Sequence, residues 1–208
     1  MTDKAYLYAT EREGILTRNP LFTSGVIIAP AVAAGVNFYS GIILASVFTV
    51  VTLITIALCR FVPRKIVYTL RITLYTLVAS LVYIPVHIYF TSNPSLNELY
   101  SAVGIYAPLL ITNSLITLRS ETKFYRLAKP YVIRTAGFYV IGYDLAMIIF
   151  STTRGILTTG EIFGSKVLPF SFPLLSTTYG GFILLAVMSA LFRWILQISN
   201  GVYKSSAK

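Results

Sequence analysis

Six apolar runs separated by short polar segments leave this chain little choice of solvent. They lie at about 19–36, 39–58, 72–90, 104–119, 131–151 and 167–196. A membrane crossing takes roughly 20 predominantly apolar residues, so a chain of 208 residues accommodates six crossings and short connections. Composition agrees: 56% of residues are hydrophobic and 12% charged, against about 25% charged in a soluble domain. The mean hydropathy is +0.75. The expected fold is all-α, a polytopic membrane protein of six transmembrane helices. A cytoplasmic segment is expected over 1–18, one membrane domain over 19–199 and a cytoplasmic tail over 200–208. Residues 1–18 lack the charged-then-apolar order of a signal peptide.

The net charge of +10 could point to nucleic acid, but its placement points to topology. Lys4, Arg12 and Arg18 precede the first run, and Arg60, Arg64, Lys65 and Arg71 separate the second from the third. Arg119, Lys123, Arg126, Lys129 and Arg134 separate the fourth from the fifth, and Arg193, Lys204 and Lys208 close the chain. With six crossings these all share one face, leaving only Arg154 and Lys166 on the other. The positive-inside rule then puts both termini in the cytoplasm of a cell whose plasma (inner) membrane holds the protein. The partner implied is the lipid bilayer, and nucleic acid is excluded.

Two of the runs are interrupted. The fourth reads G-I-Y-A-P-L-L-I-T-N-S-L-I-T-L-R over Gly104–Arg119, with Pro108 followed by the polar cluster Thr112, Asn113 and Ser114. The first carries Pro20 at its start, where a missing N–H is harmless, and Pro30 midway between Gly25 and Gly35. A mid-helix proline removes a hydrogen bond, so breaks are expected at Pro30 and Pro108. Broken helices in corresponding places of two three-span halves mark an inverted 3+3 repeat with a site at the repeat interface. Irregular backbone at that depth must be covered by protein or line a cavity.

Among single residues, Asp144 in the fifth run costs on the order of 3 kcal/mol to insert. It is either functional or a hydrogen-bonded tie between helices. With Thr112, Asn113 and Ser114 it makes the candidate ion or polar path. His87 in the third run has no second ligand at helical spacing, so a buried neutral ring donating to a carbonyl is the favoured reading over a proton relay. Cys59 is the sole cysteine, unable alone to form an internal disulfide or hold a metal cluster, and reads as a small apolar filler. Thr91–Glu98 is expected as an outer turn and Thr152–Lys166 as the longest outer loop. Gly180-Gly181 permits close helix approach, and Arg193 and Trp194 suit a cytoplasmic interface. No phosphate-binding loop, dinucleotide fingerprint or metal spacing is present in the sequence.

The order of parts resembles the six-span membrane subunits of the Rnf/Nqr family. The residues that carry the likeness are Asn19-Pro20, Ala29-Pro30, Leu99-Tyr100, Gly104-Ile105 and the run Pro108–Asn113. With them come Arg119 and Glu121, Arg154 with Gly160 and Gly164, and Gly180-Gly181-Phe182-Ile183. The likeness spans nearly the whole chain, and its orientation is similar to the E-type subunit of Rnf or the D-type subunit of Nqr. It implies membership of an ion-translocating electron-transport complex, beside a sister subunit of opposite topology and further complex subunits. In that family a cysteine in the first broken helix and another in the fourth, from each of two sisters, hold a two-iron, two-sulfur cluster. Here Ala29 and Ser114 stand at those two positions, and the family's Arg-Glu pair reads Arg154-Gly155. The expectation is therefore no cofactor and no metal ligands. The chain would be at most a non-catalytic subunit of an oxidoreductase complex, structural or lining an ion path. The alternatives are a small inverted-repeat transporter or ion-coupled permease, and a scaffold with no site.

Overall fold

The computed structural model describes residues 13–25, 27–63, 65–122, 129–162 and 165–205. Expectations resting on residues 1–12, Arg64, Lys123, Arg126, Gly164 and 206–208 lie outside them. The body is helical: α1 (Ile28–Ala34), α2 (Phe38–Cys59), α3 (Tyr68–Ser92), α4 (Pro94–Val103), α5 (Tyr106–Leu109), α6 (Ser120–Thr122), α7 (Lys129–Thr159) and α8 (Thr178–Ser205). A π-helical turn at Glu13–Thr17 precedes them, and a two-residue antiparallel ribbon pairs Glu161–Ile162 with Ser165–Lys166.

Four described helices are long and apolar enough to cross a membrane: α2, α3, α7 and α8. The helices Pro94–Val103 and Tyr106–Thr117, bent by 71° at their break, make a fifth candidate if the two are one span. The first expected span is not a continuous helix. Turns over Pro20–Ser24 come first, and the only helix among its described residues is the seven-residue α1. The all-α membrane fold stands, with four to five helical span candidates among the described residues.

The centre is the antiparallel pair α2 and α7. A Cβ on Gly41 would fall 1.9 Å from Ser151 Oγ, so the two helices meet there without room for a methyl group. Farther along, Phe48 packs on Tyr143 with ring centroids 4.1 Å apart. Asn37 starts α2 with a reciprocal cap: its Oδ1 accepts from Ser40 N at 2.9 Å, while its own N–H donates to Ser40 Oγ at 3.1 Å. The N-terminal turns fasten to α7 through Asn19, whose Nδ2 donates to Gly142 O at 2.8 Å. Its Oδ1 accepts from Leu21 N and Phe22 N.

Several boundaries differ from the sequence reading, each for a local reason. Helix α7 runs on to Thr159 where a loop was expected from Thr152. Its threonines supply the reason: Thr152, Thr153, Thr158 and Thr159 donate their hydroxyls to the carbonyl four residues back, so polar side chains are satisfied within the helix. Gly160, at φ +76, then turns the chain out. The sixth span begins at Thr178, not Val167, because Pro169 and Pro173 keep the preceding stretch extended until a 3₁₀ turn at Pro173–Ser176. The expected turn Thr91–Glu98 shrinks to Asn93, since Pro94 occupies the first turn of α4.

The prolines do not lie at the breaks. Pro30 and Pro108 each occupy the third position of a helix, after N-caps at Ile27 and Ile105. The chain bends just before, at Gly25 and Ile27 (φ +63 and +64) and at Gly104 (φ +56). A first-turn N–H has no helical partner, so proline costs nothing there.

Candidate functional site

Between the two broken spans lies a pocket of about 240 Å³. Its walls are Ile27–Pro30 from the first and Leu109, Thr112, Asn113 and Ser114 from the fourth. Ala29 and Ser114, far apart in the chain, thus face one space. Ala29 and Thr112 are exposed at its mouth, Ser114 is half-buried and Asn113 is buried.

Asn113 shapes the far wall. After the 3₁₀ turn Leu110–Thr112 the backbone extends for one residue (φ −66, ψ 147) and re-enters a helical path at Ser114. The Asn113 carboxamide secures both ends of this break. Its Oδ1 accepts from Ile116 N at 3.0 Å, capping the new helical segment, and its Nδ2 donates to Leu110 O at 2.8 Å. The same Nδ2 donates to Thr52 Oγ1 of α2 at 3.1 Å, so the break is tied to the central helix pair. Thr112 spends its hydroxyl on Leu109 O at 3.1 Å.

Asp144 is a tie of a second kind. Thr49, one turn before Thr52 on α2, donates its hydroxyl to Asp144 Oδ2 across the α2–α7 seam. The other oxygen, Oδ1, is buried with no hydrogen-bond partner among the described residues, as is Tyr143 Oη beside it in the chain. Asp144 does not line the pocket. The expected path therefore divides: Thr112, Asn113 and Ser114 share one wall, and Asp144 is linked to α2 at the neighbouring turn.

The residue that the sequence reading misplaced is Arg154. Expected in an outer loop, it lies in the last turns of α7 and is fully buried. Its guanidinium donates to five backbone carbonyls: Val32, Gly35 at 3.2 Å, Leu175 at 2.7 Å, Ser176 at 3.2 Å and Thr177 at 2.9 Å. The carbonyls of Val32, Gly35, Leu175 and Ser176 lie at the end of α1 and in the turn before α8, where helix carbonyls lack regular partners. That of Thr177 also accepts from Gly181 N at 3.0 Å. Gly181 makes the room, since a Cβ there would lie 2.9 Å from Arg154 Cζ and from Val32 Cγ1.

His87 is exposed, and its Nδ1 pairs with Tyr100 Oη at 2.9 Å, not with a carbonyl as expected. Tyr100 Oη in turn pairs with Tyr83 Oη, joining α3 to α4. Cys59 is buried at the end of α2, away from the pocket. A bidentate ion pair from Arg71 to Glu121, at 3.1 and 2.7 Å, joins the start of α3 to the end of the fourth span, and Tyr75 donates to the same carboxylate.

The donor chemistry of the pocket does not fit an iron–sulfur cluster. Its walls hold no thiol, imidazole or carboxylate; beside aliphatic side chains they offer two hydroxyls and one carboxamide. Among the described residues no three His, Cys, Asp or Glu side chains gather closely enough for a metal ion.

A helical membrane protein with two interrupted spans meeting at a shared pocket is the class that these features define. The family model for Rnf-Nqr subunits, membrane proteins, matches residues 8–192, and the chain belongs to that family. Its relatives include the E-type subunit of the Na⁺-translocating ferredoxin:NAD⁺ oxidoreductase complex of Acetobacterium woodii, 26% identical over 87% of this chain and 93% of that one. The E-type subunit of the proton-translocating ferredoxin:NAD⁺ oxidoreductase complex of Clostridium ljungdahlii is likewise 26% identical, over 86% and 85%.

Proposed function

We propose that this chain serves as an E-type membrane subunit of an ion-translocating electron-transport complex and brings no cluster ligands of its own. The observation that carries the reading is the joint placement of Ala29 and Ser114 on one pocket between the broken spans. The scaffold holds these two positions together, yet alanine has no lone pair and a serine hydroxyl keeps its proton where a thiol gives it up. The chain's contribution is structural, holding two interrupted helices at mid-bilayer and lining a polar path. The irregular backbone and the exposed Ala29 and Thr112 at the mouth support a covering partner, since such backbone is stable in lipid only under protein. A sister subunit of opposite topology would supply that cover. The setting is a bacterial plasma membrane, with both termini in the cytoplasm as the positive residues dictate.

The test is iron analysis and visible absorption of the protein purified from its own membranes with its bound partners, beside Ser114→Ala and the double variant A29C/S114C. The expected result is cluster absorbance that Ser114→Ala leaves unchanged and that the double variant increases. Iron present in the wild type and lost in Ser114→Ala would overturn the reading.

A second reading, an ion-coupled transporter, is favoured by one observation: the hydroxyl ladder of Thr49 and Thr52 on α2 links to Asp144 and to Asn113. Ion uptake into proteoliposomes that is lost in Asp144→Asn supports it, and uptake at the wild-type rate contradicts it.

A further inference from the structure

A second, apolar cavity lies along α2, apart from the pocket between the broken spans. It is a groove of about 1070 Å³ between α2 and α3, closed at one end by Leu96 of α4. One wall is Ile42, Ser46, Val50, Ile54 and Leu58, one residue per turn. At 1.5 Å per residue that wall runs for about 24 Å, most of the roughly 30 Å hydrocarbon thickness. Pro85 lies in the facing wall, within the body of α3. Its nitrogen has no hydrogen to donate to Leu81 O, and a proline inside a helix weakens it at that turn. The lining is apolar apart from the Tyr89 hydroxyl and Ser46, whose hydroxyl is already given to Ile42 O at 2.8 Å.

Charge distinguishes the two ends. At the Leu58 end Phe61 is 83% exposed and lines the mouth, with Arg60 before it and exposed Lys65 after it. No acidic residue occurs between 51 and 70. The other end, by Tyr89 and Leu96, carries Glu98 and no Lys or Arg between 72 and 118. A groove with an apolar length and a cationic mouth is complementary to a molecule with hydrocarbon chains and an anionic head. Basic pockets between transmembrane helices bind such headgroups, and the volume lies at the upper end of the about 300–1,000 Å³ typical of ligand cavities. A partner's transmembrane helix would match the length but would give the cations at one mouth no specific role.

We propose that this groove is a binding site for an anionic phospholipid, with its acyl chains along α2 and α3 and its phosphate against Arg60 and Lys65. The lipid seals the cleft beside Pro85 and keeps α3 registered against the central pair.

The experiment is native mass spectrometry of the protein in mild detergent after incubation with vesicles of phosphatidylglycerol or of phosphatidylethanolamine. Two cations at the mouth, at about 1 kcal/mol each, predict retention of the anionic lipid by about thirtyfold over the zwitterionic one. Lys65→Gln, at an exposed position, reduces that preference, and Arg60→Gln with Lys65→Gln abolishes it. Val50→Trp, filling the groove, lowers retention of both lipids. Equal retention of the two lipids by the wild type would overturn the proposal, as would an unchanged preference in Lys65→Gln. So would a co-purifying protein, displaced by Val50→Trp, where no lipid is retained.

Discussion

Arg154 shows how a single side chain can organise a membrane protein through backbone carbonyls, with no ion pair among the described residues. Its charge is spread over five carbonyl dipoles in a low-dielectric interior. Lysine has the charge but not the planar fork, so Arg154→Lys is expected to destabilise by more than about 3 kcal/mol, read as thermal unfolding in detergent. Gly181→Ala attacks the same site from the other side and costs about 1–3 kcal/mol, by the same measurement. Asn113→Ala removes a helix cap and the bond to Thr52 and should cost about 1–3 kcal/mol. Asn113 was visible in the sequence as a polar residue inside an apolar run and was read as part of a polar path; its hold on the backbone break and on Thr52 depends on the fold. The burial of Arg154 was not legible: a charge followed by glycine and threonines reads as loop, and only the threonines' bonds to their own helix carry α7 past it.

At the level of elements, the breaks repeat a local design. Ile28-Ala29-Pro30 and Tyr106-Ala107-Pro108 each open a short helix shortly after a glycine at positive φ. Both prolines were visible in the sequence as interruptions, and both mark a helix start just beyond the bend. That distinction depends on which residue takes positive φ, and a proline alone does not reveal it. Gly104, at φ +56 and ψ −133, adopts a conformation that side chains resist. Gly104→Ala is therefore expected to destabilise by about 1–3 kcal/mol, while Gly137→Ala, which meets nothing within 4 Å, should be near neutral or mildly stabilising. Parallel thermal melts of the two variants decide this. The inner limits of the sixth span were misjudged because Val167–Phe172 is as apolar as a helix. Two prolines and exposed aromatic side chains set it apart only in three dimensions.

Across the whole molecule, α2 and α7 form the rigid centre, and the pocket between the broken spans and the α2–α3 groove are lined by separate residues. The all-α membrane class was written in composition, and the interrupted spans in the positions of proline and polar residues. Their convergence was not, because nothing local ties residue 29 to residue 114. That convergence is the central claim, and thiol cross-linking tests it most directly. In a Cys59→Ala background, A29C/S114C is treated in native membranes with a short bifunctional thiol reagent and digested for mass spectrometry. The account predicts an intramolecular cross-link between positions 29 and 114 and none for a control pairing A29C with Leu77→Cys on the exposed face of α3. Single labelling at both positions with no link between them would contradict it.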